Sequence, residues 1–386
     1  MRQDDNQPLR VLLWCWGRRG GGPHYTLQVA RALGRIPILD VHLSISRQSE
    51  LLEATRGLGL PTLEVDTFSG IISAFWRTLT IARVARRFNG YLDTQRIDLV
   101  LCTMCHPWSG WIAPRIRSPQ RAYIVTVHDA KPHPGDALSG WKWLLRANLR
   151  CADGTLLLSE HVREQLLEHF HYPPERTWVI PHGPISFRSD QDRDQAPKRV
   201  RSLLFFGRIL PYKGLTLLLD AFLRIADRYD LHLLVAGHGK LDTDSIRKVT
   251  HPRISVDNRW IPENELAAIF DATDLVVIPY FEASQSGVVA AAYGMGLPVV
   301  VTPVGGLREQ VKSGETGLIA ADTTSQALAD AIETLCKDSK LFAQCCEGAR
   351  RAGHIEEAWD DIALRMADVF RQISSESKQI SAVHRQ

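Results

Sequence analysis

Arg208 and Lys213 stand close together in Gly207-Arg208-Ile209-Leu210-Pro211-Tyr212-Lys213-Gly214, a stretch that follows an apolar run and leads into a helical pattern. A guanidinium offers phosphate oxygens a planar fork and an ammonium offers a point charge, so the pair suits a pyrophosphate held where a helix begins. Further on comes Pro279-Tyr280-Phe281-Glu282-Ala283-Ser284-Gln285-Ser286-Gly287, which runs into the small-residue segment Val288-Val289-Ala290-Ala291-Ala292. Backbone N–H groups at such a start, around Ser286, Gly287 and Val288, together with the positive dipole end, favour an anion. The bland alternative is a serine cap on a packed helix. Glu282 lies just ahead, and a carboxylate this near a phosphate site is costly unless it binds something; sugar hydroxyls would serve. In the first half, Gly20-Gly21-Gly22-Pro23 lets a backbone approach a ligand closely at Gly21 and Gly22, although the spacing is not the Gly-x-Gly-x-x-Gly of dinucleotide sites. His128-Asp129 directly follows the apolar run Tyr123 to Val127, which marks His128 as a substrate-binding candidate. His106 and His182 are weaker candidates of the same kind.

The elements that must position these residues alternate between short apolar runs and helical periodicity. Strands are expected at Arg10 to Trp16, Val41 to Ile45, Leu99 to Cys102, Tyr123 to Val127 and Gly154 to Leu158, with a loop at Gly20 to Pro23 and a helix from His24 to Leu33. The alternation restarts with strands at Ser202 to Phe206, His232 to Ala236, Leu275 to Pro279 and Pro298 to Val301. Helices lie between them at Gly214 to Arg228 and Glu263 to Phe270, the latter with Pro262 near its N1 position. Continuously apolar strands separated by helices predict parallel sheets covered on both faces. Ligands of such sheets bind beyond the carboxyl ends of the strands, where Arg208, Lys213, Glu282 and His128 all fall.

Length and composition agree. The 386 residues exceed what one core usually organises, so two domains are expected. The polar stretch Ser186 to Arg199 is the natural linker. This predicts a first domain at 1–184, a linker at 185–200, a second domain at 201–352, a returning helix at 353–375 and a disordered tail at 376–386. Lys plus Arg total 46 against 43 Asp plus Glu, a net charge of +3, which implies no global field for nucleic acid. Cys102-x-x-Cys105 has no second pair to complete a zinc site, so no metal is expected, and the seven cysteines read as reduced thiols of a cytoplasmic protein. The polar start does not read as a secretory signal, and no run reaches the roughly 18 apolar residues that span a bilayer.

Taken in order, several motifs resemble glycosyltransferase family 4, retaining enzymes of the GT-B fold. They are the first glycine loop, Val125-Thr126-Val127-His128-Asp129, Val179-Ile180-Pro181-His182-Gly183, Phe206-Gly207-Arg208 to Lys213-Gly214, Val235-Ala236-Gly237-His238-Gly239, and Gly296-Leu297-Pro298-Val299-Val300 with Gly305-Gly306-Leu307-Arg308-Glu309. The resemblance implies an α/β protein with two Rossmann-like doubly wound domains facing a cleft and a final helix crossing back. It places the nucleotide sugar mostly on the second domain, with Gly207 and Gly237 in its binding loops, and the acceptor mostly on the first. It implies no cofactor beyond a nucleoside-diphosphate sugar as donor substrate. Arg208 and Lys213 would stabilise the departing diphosphate, the acceptor hydroxyl would attack from the face the leaving group departs, and His128 would position the sugar. The family's two glutamates, eight positions apart, fall at Ala283 and Ala291 here. The chain thus resembles a subgroup with an altered motif, in which Glu282 could serve one residue away and Glu309 could meet the ribose.

The acceptor is expected to be a glycan or a lipid-linked molecule. Ile71 to Phe88 is amphipathic and arginine-bearing, and Trp141-Lys142-Trp143-Leu144-Leu145-Arg146 adds aromatics to cations. Together they could make peripheral contact with an anionic membrane, although a core helix with a solvated basic face is the reading slightly favoured. A second reading of the whole chain is a non-catalytic sugar-nucleotide-binding or partner subunit of a glycosyltransferase complex, motivated by Ala283 and Ala291.

Overall fold

The computed structural model describes residues 7–116, 121–133, 140–188 and 199–383, with backbone only at 71 and 377–383. The chain divides into two compact units. The first comprises Met1–Lys131, Leu138–Pro181 and Trp359–Gln386; the second comprises Pro132–Ala137 and His182–Ala358.

Among the described residues, seven strands build the sheet of the first unit: β1 (Leu9–Cys15), β2 (Leu39–Ser46), β3 (Thr62–Val65), β4 (Leu99–Met104), β5 (Ala122–Val127), β6 (Gly154–Leu157) and β7 (Thr177–Val179). They lie parallel in the order β3-β2-β1-β4-β5-β6-β7. Six build the second: β8 (Ser202–Phe206), β9 (His232–Ala236), β10 (Ile254–Asp257), β11 (Leu275–Ile278), β12 (Val299–Val301) and β13 (Gly317–Ile319), parallel in the order β10-β9-β8-β11-β12-β13. Each order reverses once, between β1 and β4 and between β8 and β11, and those reversals are where doubly wound sheets open a crevice.

The apolar runs are continuous because both faces of each sheet are covered. In the second unit Leu203, Phe205, Leu275, Val277 and Val300 join one core, while Leu204, Val276, Ile278, Val299 and Val301 join the core on the opposite face. Alternate residues of one strand thus serve two helical layers. In the first unit Leu12, Trp14, Val100, Tyr123 and Val125 pack with Phe88 and Trp108.

Four expectations change. Gly21, Gly22 and Pro23 are not loop: the helix spans Gly21–Leu33 with Gly20, at φ 81°, as its N-cap. Proline is tolerated in a first helical turn, where its missing N–H has no intrahelical partner to lose. Pro262 is the N-cap of Glu263–Asp271 and lies outside the helix. The final helix does not stop at a disordered tail but continues over Ile355–Val383, since no Gly or Pro interrupts it; residues 384–386 lie outside the described set. The expected linker is partly built into the second unit, for Ile185 is buried and donates its N–H to Ala290 O at 2.9 Å. Residues 189–198 of that linker lie outside the described set.

Candidate functional site

In the second unit the two strands at the order reversal, β8 and β11, each end in a loop that carries candidate residues. After β8, Gly207 turns at φ 118° and Arg208 is exposed; Pro211–Lys213 makes one turn of 3-10 helix, and Gly214 at φ 66° opens helix Leu215–Tyr229. A Cβ on Gly214 would come within 1.8 Å of Pro279 O, so only glycine lets this loop meet the one after β11. Phe281 N donates to Tyr212 O at 2.8 Å and fixes the two loops together. Lys213 Nζ rests 3.8 Å from the centre of the Tyr280 ring and 4.9 Å from that of Tyr212, which positions the cation over aromatic faces. Burial pushes the Tyr280 hydroxyl up to about 12, so it stays protonated.

The loop after β11 is held from several sides. Thr302 Oγ1 donates to Tyr280 O at 2.5 Å, and Gly306 N donates to Ala283 O at 3.0 Å. Ser286 is the N-cap of helix Gly287–Gly294, its hydroxyl accepting from Val288 N at 3.2 Å. The Val288 N–H is therefore already engaged, and Ser286 has the structural role weighed against its functional one. Gln310 clamps the same residue, accepting from Ser286 N at 2.7 Å and donating to Ser286 O at 3.3 Å. Gln285 Oε1 is buried with no hydrogen-bond partner, an acceptor kept within the loop. Glu282 projects outward with its side chain 56% exposed, and His133 Nδ1 lies 3.5 Å from its Oε2.

His133 belongs to the short segment that groups with the second unit. Its ring stacks on Tyr212, centroids 4.5 Å apart and planes at 15°, and its Nε2 lies 3.4 Å from Ser284 Oγ. Sequence reasoning passed over His133, Tyr212, Tyr280, Gln285 and Gln310; the only signal was that the last four sit inside or beside the quoted motifs.

The remaining candidates fall elsewhere. Gly207 N donates to Ala236 O and Gly237 N to Asp257 O, both at 3.0 Å. A Cβ on Gly237, at φ 149°, would meet Gly207 O at 1.8 Å. These two glycines let backbones cross and have no N–H left over for a ligand. Glu309 is exposed on the short helix Leu307–Gln310, one residue from the clamp. Gly287 has open space around the position of a Cβ. Ala291 is only 2% exposed and lies in a core with Val289, Ala292 and Tyr293.

The first unit carries its own set. Gly21 and Gly22 follow β1; a Cβ on Gly22 would strike the Met104 side chain at 2.7 Å, so that glycine serves packing against β4, while Gly21 is open. His128 follows β5, donates from Nε2 to Thr103 O at 2.8 Å and meets the Tyr25 ring edge-on at 5.3 Å. Burial lowers its pKa, so it is neutral at neutral pH with Nδ1 as its acceptor. His106 is buried and pushed down to about 3, and its Nδ1 accepts from Trp108 N, so it reads as structural. His182 Nδ1 donates to Gly183 O at 2.6 Å. Among the described residues no group of His, Cys, Asp and Glu is placed to hold a metal ion, and all seven cysteines are free thiols.

Comparison with known proteins follows the same division. Residues 20–183 match the family model "Glycosyl transferase 4-like domain", and residues 200–338 match "Glycosyl transferases group 1". The chain is 29% identical over 371 residues to a D-inositol 3-phosphate glycosyltransferase of Corynebacterium glutamicum, covering 86% of this chain and 87% of that one. Among solved structures it is similar to the sucrose-phosphate synthase of Thermosynechococcus elongatus, with a TM-score of 0.72 at 19% identity, covering 95% and 100% of the two chains. It is also similar to Anabaena Alr3699/HepE, with a TM-score of 0.69 at 17% identity, covering 94% and 99%. At these identities the structural likenesses establish the fold.

Proposed function

From a chain that belongs to the GT4-like glycosyltransferases of the GT-B fold, we infer a retaining enzyme that moves a sugar from a nucleoside-diphosphate sugar to a glycan or lipid-linked acceptor. The observation that carries this reading is the pairing at the β8/β11 reversal: Arg208 and Lys213 on one loop, pinned through Phe281 N to Tyr212 O against the loop that carries Glu282 and Ser286. Preorganised cations of this kind stabilise the charge that grows on a departing diphosphate. The structure of Alr3699/HepE with UDP and glucose supports a nucleotide sugar as donor, since that protein shares the fold. Glu282, exposed beside the half-buried His133, is the carboxylate available to sugar hydroxyls. The chain departs from the family's two-glutamate pattern at Ala283 and Ala291, which we assign to a subgroup that holds the sugar through Glu282. His128 acts through position and hydrogen bonding; its lowered pKa leaves it uncharged.

The direct test incubates the protein with UDP-, GDP- and ADP-sugars and follows release of nucleoside diphosphate. Release sustained by an added acceptor is expected, whereas a binding subunit gives a thermal shift with the donor and no release. Two further outcomes follow. Activity should persist in excess chelator, because Arg208 and Lys213 supply the positive charge on the diphosphate; abolition by chelator with rescue by magnesium or manganese would overturn that assignment. Glu282→Ala should raise the donor KM about tenfold or more and cut turnover, with affinity for free nucleoside diphosphate nearly unchanged, since that product has no sugar to contact. Equal losses for donor and free diphosphate would place Glu282 on the nucleotide instead.

A further inference from the structure

The first unit leaves a continuous apolar surface uncovered. On helix Ile71–Thr78 and the residue after it, Ile72, Phe75, Trp76 and Leu79 are 79%, 66%, 64% and 68% exposed. Their spacing of three, one and three puts them on one stripe of the helix. The helix is fastened beside that stripe: Trp108, itself buried, donates from Nε1 to Thr78 Oγ1 at 3.0 Å. Thr78 also lines a cavity of about 440 Å³ with Ile81, Ala85, Asn89, Trp111 and Ile112, a volume in the range that takes small ligands, about 300–1,000 Å³. Trp111 is half exposed at the cavity wall and packs on the equally exposed Trp143, centroids 5.9 Å apart. Asn89, whose Oδ1 is buried without a hydrogen-bond partner, is the polar group of that lining apart from Thr78 and two arginines, Arg86 and Arg115.

Charge accompanies the apolar stripe. Between Ile71 and Leu92 there are four arginines, at 77, 83, 86 and 87, and no Asp or Glu. All four are exposed, while Ala85, Phe88 and Leu92 of helix Ile81–Thr94 turn into the core. Aromatic and aliphatic side chains projecting from a helix flanked by arginines match the boundary of a negatively charged bilayer, where the rings enter the acyl layer and the guanidiniums meet phosphates. A soluble monomer rarely leaves so large an apolar patch without a partner. The absence of carboxylates argues for an anionic surface over another protein.

We propose that this face docks on an anionic phospholipid bilayer, with the cavity walled by Ile81 and Trp111 receiving the tail of a lipid from it. The proposal rests on the acceptor reading above and narrows it to the lipid-linked class, yet it is tested without donor or turnover. The full chain is sedimented with vesicles of phosphatidylcholine, with and without phosphatidylglycerol, at low and high salt. Binding only to the phosphatidylglycerol vesicles, reversed by salt, is expected. Phe75→Ser with Trp76→Ser, both on exposed positions, should lower partitioning about hundredfold. Arg83→Glu with Arg86→Glu and Arg87→Glu should do so by about the same factor. Filling the cavity with Ala82→Trp should weaken binding while leaving the unfolding midpoint in place. Absence of binding at low salt, equal binding to neutral vesicles, or variants that bind like the wild type overturn the proposal. So does a dimer in solution that Phe75→Ser with Trp76→Ser dissociates, which would make the face a contact between copies. A nucleotide-induced thermal shift run on the same samples reports the donor site separately.

Discussion

Arg208→Ala and Lys213→Ala should each lower turnover about hundredfold, near 2.7 kcal/mol of transition-state stabilisation, with a smaller change in donor KM. The reason is the timing of charge: a bound diphosphate sugar already carries negative charge, but the bond to the sugar breaks only as more of it gathers on the leaving oxygens. Arg208 is exposed, so its truncation should not disturb folding. Lys213 is half-buried with its ammonium over Tyr280, so Lys213→Met is the cleaner substitution, keeping the stem on the ring and removing only the charge. Release of nucleoside diphosphate under saturating donor is the measurement. Rates within a few-fold of wild type for either variant would remove these residues from the leaving-group site.

Ala291→Glu should destabilise the second unit by about 3 kcal/mol and lower its unfolding midpoint by roughly 10 °C, without tightening nucleotide binding. Ala291 is enclosed in a core with Val289, Ala292 and Tyr293, and a carboxylate placed there is taken out of water into apolar surroundings. Calorimetry and a nucleotide titration on the same variant decide the matter. A native midpoint with tighter binding would show instead that the ribose lies over helix Gly287–Gly294 and that the alanine is a vacated ligand position.

The strands that were legible in the sequence are those buried on both faces. Leu203 to Phe205 and Leu275 to Ile278 have no polar residue to blur them. Strands β3, β7, β10 and β13 were not foreseen: each has only three or four residues, and Thr62-Leu63-Glu64-Val65 and Ile254-Ser255-Val256-Asp257 mix polar with apolar positions because they lie toward or at the sheet edge. Placement after a strand marks Arg208, Lys213, Glu282 and His128 as candidates. It could not find His133, which stands 149 positions from Glu282 and reaches it only because a short segment joins the second unit. Nor could it separate Gly207 and Gly237, whose N–H groups are spent on neighbouring strands, from glycines that face a ligand. Glycine looks the same in a sequence whether it makes room for a substrate or for another backbone.

A ribosome delivers the final part of the first unit only after the second unit. Trp359, Phe370 and Ile373 are buried there, Trp359 against Tyr25 at 6.0 Å between ring centroids and Ile373 close beside Gly154. Arg365 reaches back to donate to Val179 O at 2.8 Å, the last residue of β7. The seven described strands of that unit emerge long before these residues are made, yet its apolar flank waits open until the second unit has been made. The second unit, begun later, is completed sooner, since its last residue, Ala358, precedes Trp359. Order along the chain and order of completion are therefore reversed, and the interval in which the nascent first unit is exposed to aggregation, or to a chaperone, lasts as long as the synthesis of its neighbour.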